Sequence, residues 1–178
     1  MKTFGKLENE LIDLCHQCPP DLEAIRSKIA EGADVNANDG DAQTKKSLLA
    51  EVIYNFGWVE ENDSIEKYGC QYLCDVIQII LDAGFDITLD EGRYGAMALS
   101  HLIFCYTDEH VLDAAQLLLN AGANPSIAPY ADEPHETVIT MVSFDASVRL
   151  YDGDIEEFEI LDSLTEMLKE ATSKMSKS

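Results

Sequence analysis

Apolar residues recur three and four positions apart along most of the chain, in blocks divided by short stretches rich in glycine, proline, asparagine and aspartate. That spacing puts the apolar side chains of a block on one helix face, so the pattern predicts a succession of amphipathic helices joined by turns. Three blocks finish alike: IRSKIAEGADVNAND from Ile25, IQIILDAGFDITLDE from Ile77 and AQLLLNAGANPSIAP from Ala115. The pairs Ile25 and Ile29, Ile77 and Leu81, and Ala115 and Leu119 each share a face. Gly32, Gly84 and Gly122 follow, where a left-handed residue closes the last turn of a helix. Asp34, Asp86 and Asn124 then suit a turn, because their short side chains bond to the backbone nearby.

A second predicted helix precedes each of these: LENELIDLCH near Leu7, KKSLLAEVIYNF near Lys45 and GAMALSHLIFCY near Gly95. The repeating unit is therefore helix, bend, helix, loop. A fourth unit pairs ETVITMVSFDASVRLY from Glu136 with IEEFEILDSLTEMLKEA from Ile155. In the latter, Phe158, Leu161, Leu164, Met167 and Leu168 form an apolar stripe. Glu156, Glu157 and Glu159 sit in its first turns, where the helix dipole favours negative charge. This helix is expected to close the stack with a polar outer face. The approximate units are 3–44, 45–94, 95–134 and 135–172, within one domain over 1–178 that ends in a frayed tail at 173–178.

These units resemble the ankyrin repeat. DLEAIRSKIAEGADVNAND from Asp21 is similar to the family's second helix and its Gly-Ala-Asp-Val-Asn turn, followed by LLLNAGANPS from Leu117 and ILDAGFDITL from Ile80. The resemblance implies an all-α fold: an ankyrin-like helical repeat solenoid of about four helix pairs with short connecting loops or hairpins. It also implies a concave recognition surface beside the first helices. The family's Thr-Pro-Leu-His opening is replaced by KSLL at Lys46, MALS at Met97 and TVIT at Thr137, which keep an apolar core contact without the histidine hydrogen bonds. The interval from Gly32 to Gly84 exceeds the family's period of roughly 33 residues by more than the next interval does. An insertion is therefore expected at Asn55 to Tyr68, NFGWVEENDSIEKY.

With 178 residues, 46% of them hydrophobic, the chain can bury a sizeable core. Its formal charge of −22, from 34 acidic against 12 basic residues, works against sequence-independent binding to nucleic acid or to an anionic membrane. A basic protein surface is the partner this charge favours. The opening MKTFGKLENELIDL lacks the apolar run of a secretory signal, and no uncharged stretch approaches the length of a membrane span. The expectation is a cytoplasmic monomer whose five cysteines are free thiols.

The Cys15-His16-Gln17-Cys18 segment is either a reactive or metal-binding pair or a bend between helices. In the repeat register Cys15 ends a helix, Cys18 and Pro19 lie in the bend, and Pro20-Asp21 begins the next helix. The alternative function is a zinc or thiol-redox protein that adds Cys70 and Cys74, four apart on one helix face. Against it, Cys70 and Cys74 precede the apolar run Val76, Ile77, Ile79 and Ile80, where a thiol serves as a small hydrophobe, and Cys105 reads as core.

His16, His101, His110 and His135 are scattered, none at the spacing of a helical metal pair. No phosphate loop, nucleophile elbow or calcium loop appears, so no catalytic residue, metal or cofactor is expected. The candidate partner-binding residues are those of the loops: Asn38, Asp39 and Asp41, then Asp90, Glu91, Arg93 and Tyr94, then Tyr130, Asp132 and Glu133. Tyrosine supplies contact area at low entropic cost and carboxylates supply steering. Trp58, in the insertion, is either an exposed anchor or a pin for its own loop.

The expected function is a non-enzymatic protein-protein interaction module with an acidic concave surface for a basic partner; its specialised form is an immunity or inhibitor protein against a cationic toxin. An assembly role stays open beside it, through an uncovered apolar face at Leu7, Leu11 and Leu14.

Overall fold

The computed structural model describes residues 2–17, 19–41, 45–56, 71–105 and 110–177. It is all-α and 66% helical. The described residues hold eight helices: α1 (Lys6–Cys15), α2 (Leu22–Ala30), α3 (Leu48–Phe56), α4 (Gln71–Asp82), α5 (Arg93–Cys105), α6 (His110–Asn120), α7 (Val138–Asp152) and α8 (Ile155–Met175). The chain divides into two compact units, Met1–Asp86 with α1 to α4 and Ile87–Ser178 with α5 to α8.

Local chemistry sets the helix limits. Asp21 caps α2, its Oδ1 accepting from the Glu23 and Ala24 amides at 3.1 and 3.0 Å. Pro20 is therefore not the first residue of that helix, as expected from its tolerance there, but lies ahead of the cap. The C-terminal ends of α2, α4 and α6 share one motif. Ala33, Phe85 and Ala123 donate to the carbonyls of Lys28, Ile80 and Leu118, while Gly32, Gly84 and Gly122 donate to Ile29, Leu81 and Leu119. The three glycines have φ of +106°, +91° and +104°, so the left-handed residue falls where the sequence placed it. Gly153 closes α7 in the same way, with Asp154 bonded to Arg149. The helix α8 runs on to Met175, into the stretch expected to fray.

In the first unit, α1 packs on α2 and α3, α2 on α4, and α3 on α4. First helices thus meet first helices and second meet second. The core is Leu11, Ile25, Leu48, Leu49, Ile53, Leu73, Ile77 and Ile80, all fully buried. Residues 37–39 run between two neighbours: Phe4 donates to the Asn38 carbonyl at 2.8 Å, and Asp39 donates to the Lys46 carbonyl at 3.0 Å. Asn36 joins the turn after α2 to the turn after α4, donating to the Gly84 carbonyl at 3.0 Å and accepting from the Asp86 amide at 2.7 Å. The expected turn bonds form at Asp34, which accepts from Asn36, and at Asn124, which accepts from Ser126. At Asp86 the backbone amide donates to Asn36 Oδ1.

The second unit repeats the arrangement: α5 packs on α6 and α7, α6 on α8, and α7 on α8. Tyr94, Met97, Leu99, Leu102, Leu118, Val142, Leu161 and Leu164 fill it. Gly95 permits a close approach, since a Cβ there would lie 3.0 Å from the Ala123 Cα. Leu161, Leu164 and Leu168 of α8 are buried while Glu156, Glu159, Asp162, Glu166 and Glu170 face solvent, the polar outer face expected of it. No helix among the described residues is long and apolar enough to cross a membrane.

Candidate functional site

Burial sorts the candidate residues. Asn38 is 6% exposed, and its Oδ1 accepts from the Gly40 amide at 2.8 Å, so it shapes its loop and offers nothing to a partner. Tyr94 is fully buried in the second core, where a ring at the start of α5 packs better than it would in water. Both are corrections: backbone pairing with Lys2 and Phe4 holds Asn38 inward, and the core of the second unit encloses Tyr94. Tyr130 is half-buried, its hydroxyl 3.3 Å from Nε2 of the buried His101. Trp58, and the insertion after Phe56 up to Tyr68, lie outside the described residues.

The exposed candidates are mostly carboxylates on well-held turns. Asp39 Oδ1 accepts from the Asp41 amide at 3.0 Å, and both side chains reach solvent. Asp90 and Glu91 have φ of +51° and +59°, a left-handed pair that side chains with a Cβ adopt at a cost of order 1 kcal/mol each. Arg93 bridges the two at 3.3 and 3.4 Å, so its charge is already spent on its own loop. Asp132 and Glu133 sit with Glu136 at the entry to α7. Glu133 in its protonated form can donate to Glu136, and this hydrogen bond, the Glu136 charge and Asp132 beside them raise the Glu133 carboxyl above its ordinary range.

The same three carboxylates line an open hollow of about 540 Å³ with Pro134, His135, Thr140 and Phe144. Phe144 is 73% exposed there. It belongs to a larger feature: of the six large hydrophobic side chains exposed among the described residues, five are Phe144, Val148, Leu150, Tyr151 and Ile155, and only Tyr54 lies elsewhere. In the sequence pattern this helix is only the first of the fourth unit, and none of these residues is among the candidates. The available signal was that α7 is apolar on two faces, Val138, Val142 and Ala146 on one and Phe144, Val148 and Tyr151 on the other.

Of the four cysteines in the zinc or thiol-redox reading, Cys15 and Cys74 are among the described residues. Cys15 is fully buried, and burial pushes its thiol up to about 12, where no thiolate forms near neutral pH. Cys74 is half-buried, and Cys18 and Cys70 lie outside the described residues. Among the described residues no three potential ligands gather as a metal would need. In α1, Leu11 is fully buried and Leu7 and Leu14 half-buried, so the uncovered apolar face is on α7 and not on α1.

Compared with known protein families, curated proteins and solved structures, the chain matches none.

Proposed function

We propose that the chain is a non-enzymatic interaction module of ankyrin-like helix pairs that binds a basic protein partner through its exposed acidic loops. The observation that carries this reading is the state of those loops. Asp39, Asp41, Glu91, Asp132 and Glu133 are exposed carboxylates on turns fixed by backbone hydrogen bonds or by a helix start. Carboxylates already crowded together, as Glu133 and Glu136 are, gain most from a cation arriving between them. The ankyrin-like part is supported by the repeated helix ending at Gly32, Gly84 and Gly122 and by the like-on-like packing of helices inside each unit. Its specialised form is masking of a cationic toxin by an immunity protein.

The test is affinity capture with the whole chain as bait, washed at low and then at high salt, against a variant carrying Asp39→Asn, Asp41→Asn, Asp132→Asn and Glu133→Gln. The reading expects one basic protein held at low salt, weakened at high salt and lost from the variant. Retention of a neutral or acidic protein, indifferent to salt and variant, would overturn it.

A further inference from the structure

We infer that the outer face of α7 is a docking surface for a basic amphipathic helix, one whose apolar stripe carries lysine or arginine at both ends. This rests on the reading above and names the partner's contact element.

Three observations carry it. The first is the shape of the exposed apolar surface. Phe144, Val148 and Tyr151 stand four and three residues apart and so align along one side of α7 for about 10 Å, roughly two helical turns. Their exposures are 73%, 37% and 91%, whereas Val138, Val142 and Ala146 already bury the opposite side. Large apolar groups gathered on one strip mark a binding face more often than scattered single ones do. A straight strip of this length is what a second helix covers well, because ridges of side chains at the same spacing fit along it.

The second observation is charge at both ends of the strip. Asp132, Glu133 and Glu136 adjoin Phe144 around the open hollow. At the other end Asp152 at the close of α7, Asp154 in the turn and Glu156 at the start of α8 are all exposed. The arginine that lies between, Arg149, is engaged with Asp145 and Glu157, at 3.9 and 2.8 Å. An apolar strip between two acidic ends calls for an apolar stripe between two basic ends.

The third is what the charge excludes. A second copy of the chain would bring −22 against −22, and an anionic membrane or nucleic acid would meet the same repulsion. A cationic helix gains from the field that those occupants oppose.

The experiment uses the full chain and three labelled synthetic peptides: a leucine-lysine amphipathic helix, a lysine-only peptide and a leucine-glutamate helix. Binding is read by anisotropy at low and high salt, with the contact mapped by backbone amide shifts. The leucine-lysine helix should bind and shift the amides of α7. Phe144→Ala and Tyr151→Ala, both at exposed positions, should each weaken it by about tenfold at either salt. Glu133→Gln with Glu136→Gln should weaken it mainly at low salt.

If the lysine-only peptide binds as tightly, or the α7 variants change nothing while acidic-loop variants do, the α7 inference is overturned and the acidic-loop reading stands. If neither basic peptide binds, both fall. If the face is instead closed by a second copy at low salt, where the net charge opposes it, mass will rise with concentration there and revert in Phe144→Ala, and the inference is again overturned.

Discussion

Replacing Glu8 by glutamine removes one charge from the most completely enclosed carboxylate among the described residues of the first unit. Glu8 is 1% exposed, on α1. Its Oε1 accepts from the Lys2 ammonium at 2.6 Å and from the Asp34 amide at 2.9 Å, and its Oε2 accepts from the Gly5 amide at 2.8 Å. The group thus caps its own helix and ties α1 to the turn after α2, which are distant in sequence. Burial by itself would raise its pKa; the lysine and then the two amides overcome that and hold it at about 2, from an ordinary 4.5. A folded-state value below the unfolded one means that the ionised group stabilises the fold above about pH 4.5. That contribution is lost as pH falls from there toward 2. The shift corresponds to about 3 kcal/mol at neutral pH.

The assay is urea unfolding of the wild type and Glu8→Gln across acidic to neutral pH, with hydrogen exchange at the Gly5 and Asp34 amides as the local readout. Glutamine can still accept one amide bond but must point its NH₂ at a donor, so a loss of about 2–3 kcal/mol is expected at neutral pH. The wild-type curve alone would mislead, because protonating a chain of net charge −22 also relieves self-repulsion and stabilises it. The difference between the two proteins cancels that common term. It should shrink toward zero as pH approaches 2. A difference that stays constant over the whole range would mean the cost is packing and not ionisation, and the reasoning would be refuted. Lys2→Met separates the parts further: Lys2 is about half exposed, so its share should be near 1 kcal/mol and fall with salt, while the amide bonds do not.

Three other outcomes follow from the same geometry. Gly84→Ala should cost about 1–2 kcal/mol from backbone strain alone, since nothing lies near its would-be Cβ, and Gly95→Ala should cost more because its Cβ meets the Ala123 backbone and Ile87; thermal melts will rank them. Asn36→Ala should cost about 1–3 kcal/mol and speed hydrogen exchange at the Asp86 amide, which loses its acceptor. Cys15 should resist alkylation in the folded protein and react only on unfolding, as followed by mass spectrometry of the labelled peptide.

Helix positions and endings were legible because they depend on local rules. Periodicity three and four apart marked all eight helices, and glycine after the last apolar turn marked the endings of α2, α4 and α6 at the right residues. Loop residues were harder to assign. Asn38 and Tyr94 look like surface groups by type and position, but one is fixed by backbone pairing to residues 2–4 and the other by the second core, contacts made by segments far away in sequence. Glu8 illustrates the converse, since nothing in KLENELIDLC distinguishes it from Glu10 until the Asp34 turn folds over it.

The α7 face lies between these cases, and it shows what pattern can and cannot decide. Both of its apolar stripes were visible in VITMVSFDASVRLYD, because periodicity counts apolar residues on every side of a helix. A helix apolar on two sides must find two neighbours or leave one side bare. The first side is taken by α5 and α8. Packing leaves Phe144, Val148 and Tyr151 uncovered, and the surrounding carboxylates make a bare apolar strip tolerable in water by keeping copies of the chain apart. The charge that opposes approach of a second copy and the charge that would draw in a basic helix are then the same charge. Raising salt should therefore weaken peptide binding and, by removing the repulsion, increase self-association through this strip. Light scattering on the wild type and Phe144→Ala at low and high salt checks the second half; an equal rise in both proteins would show that the strip plays no part.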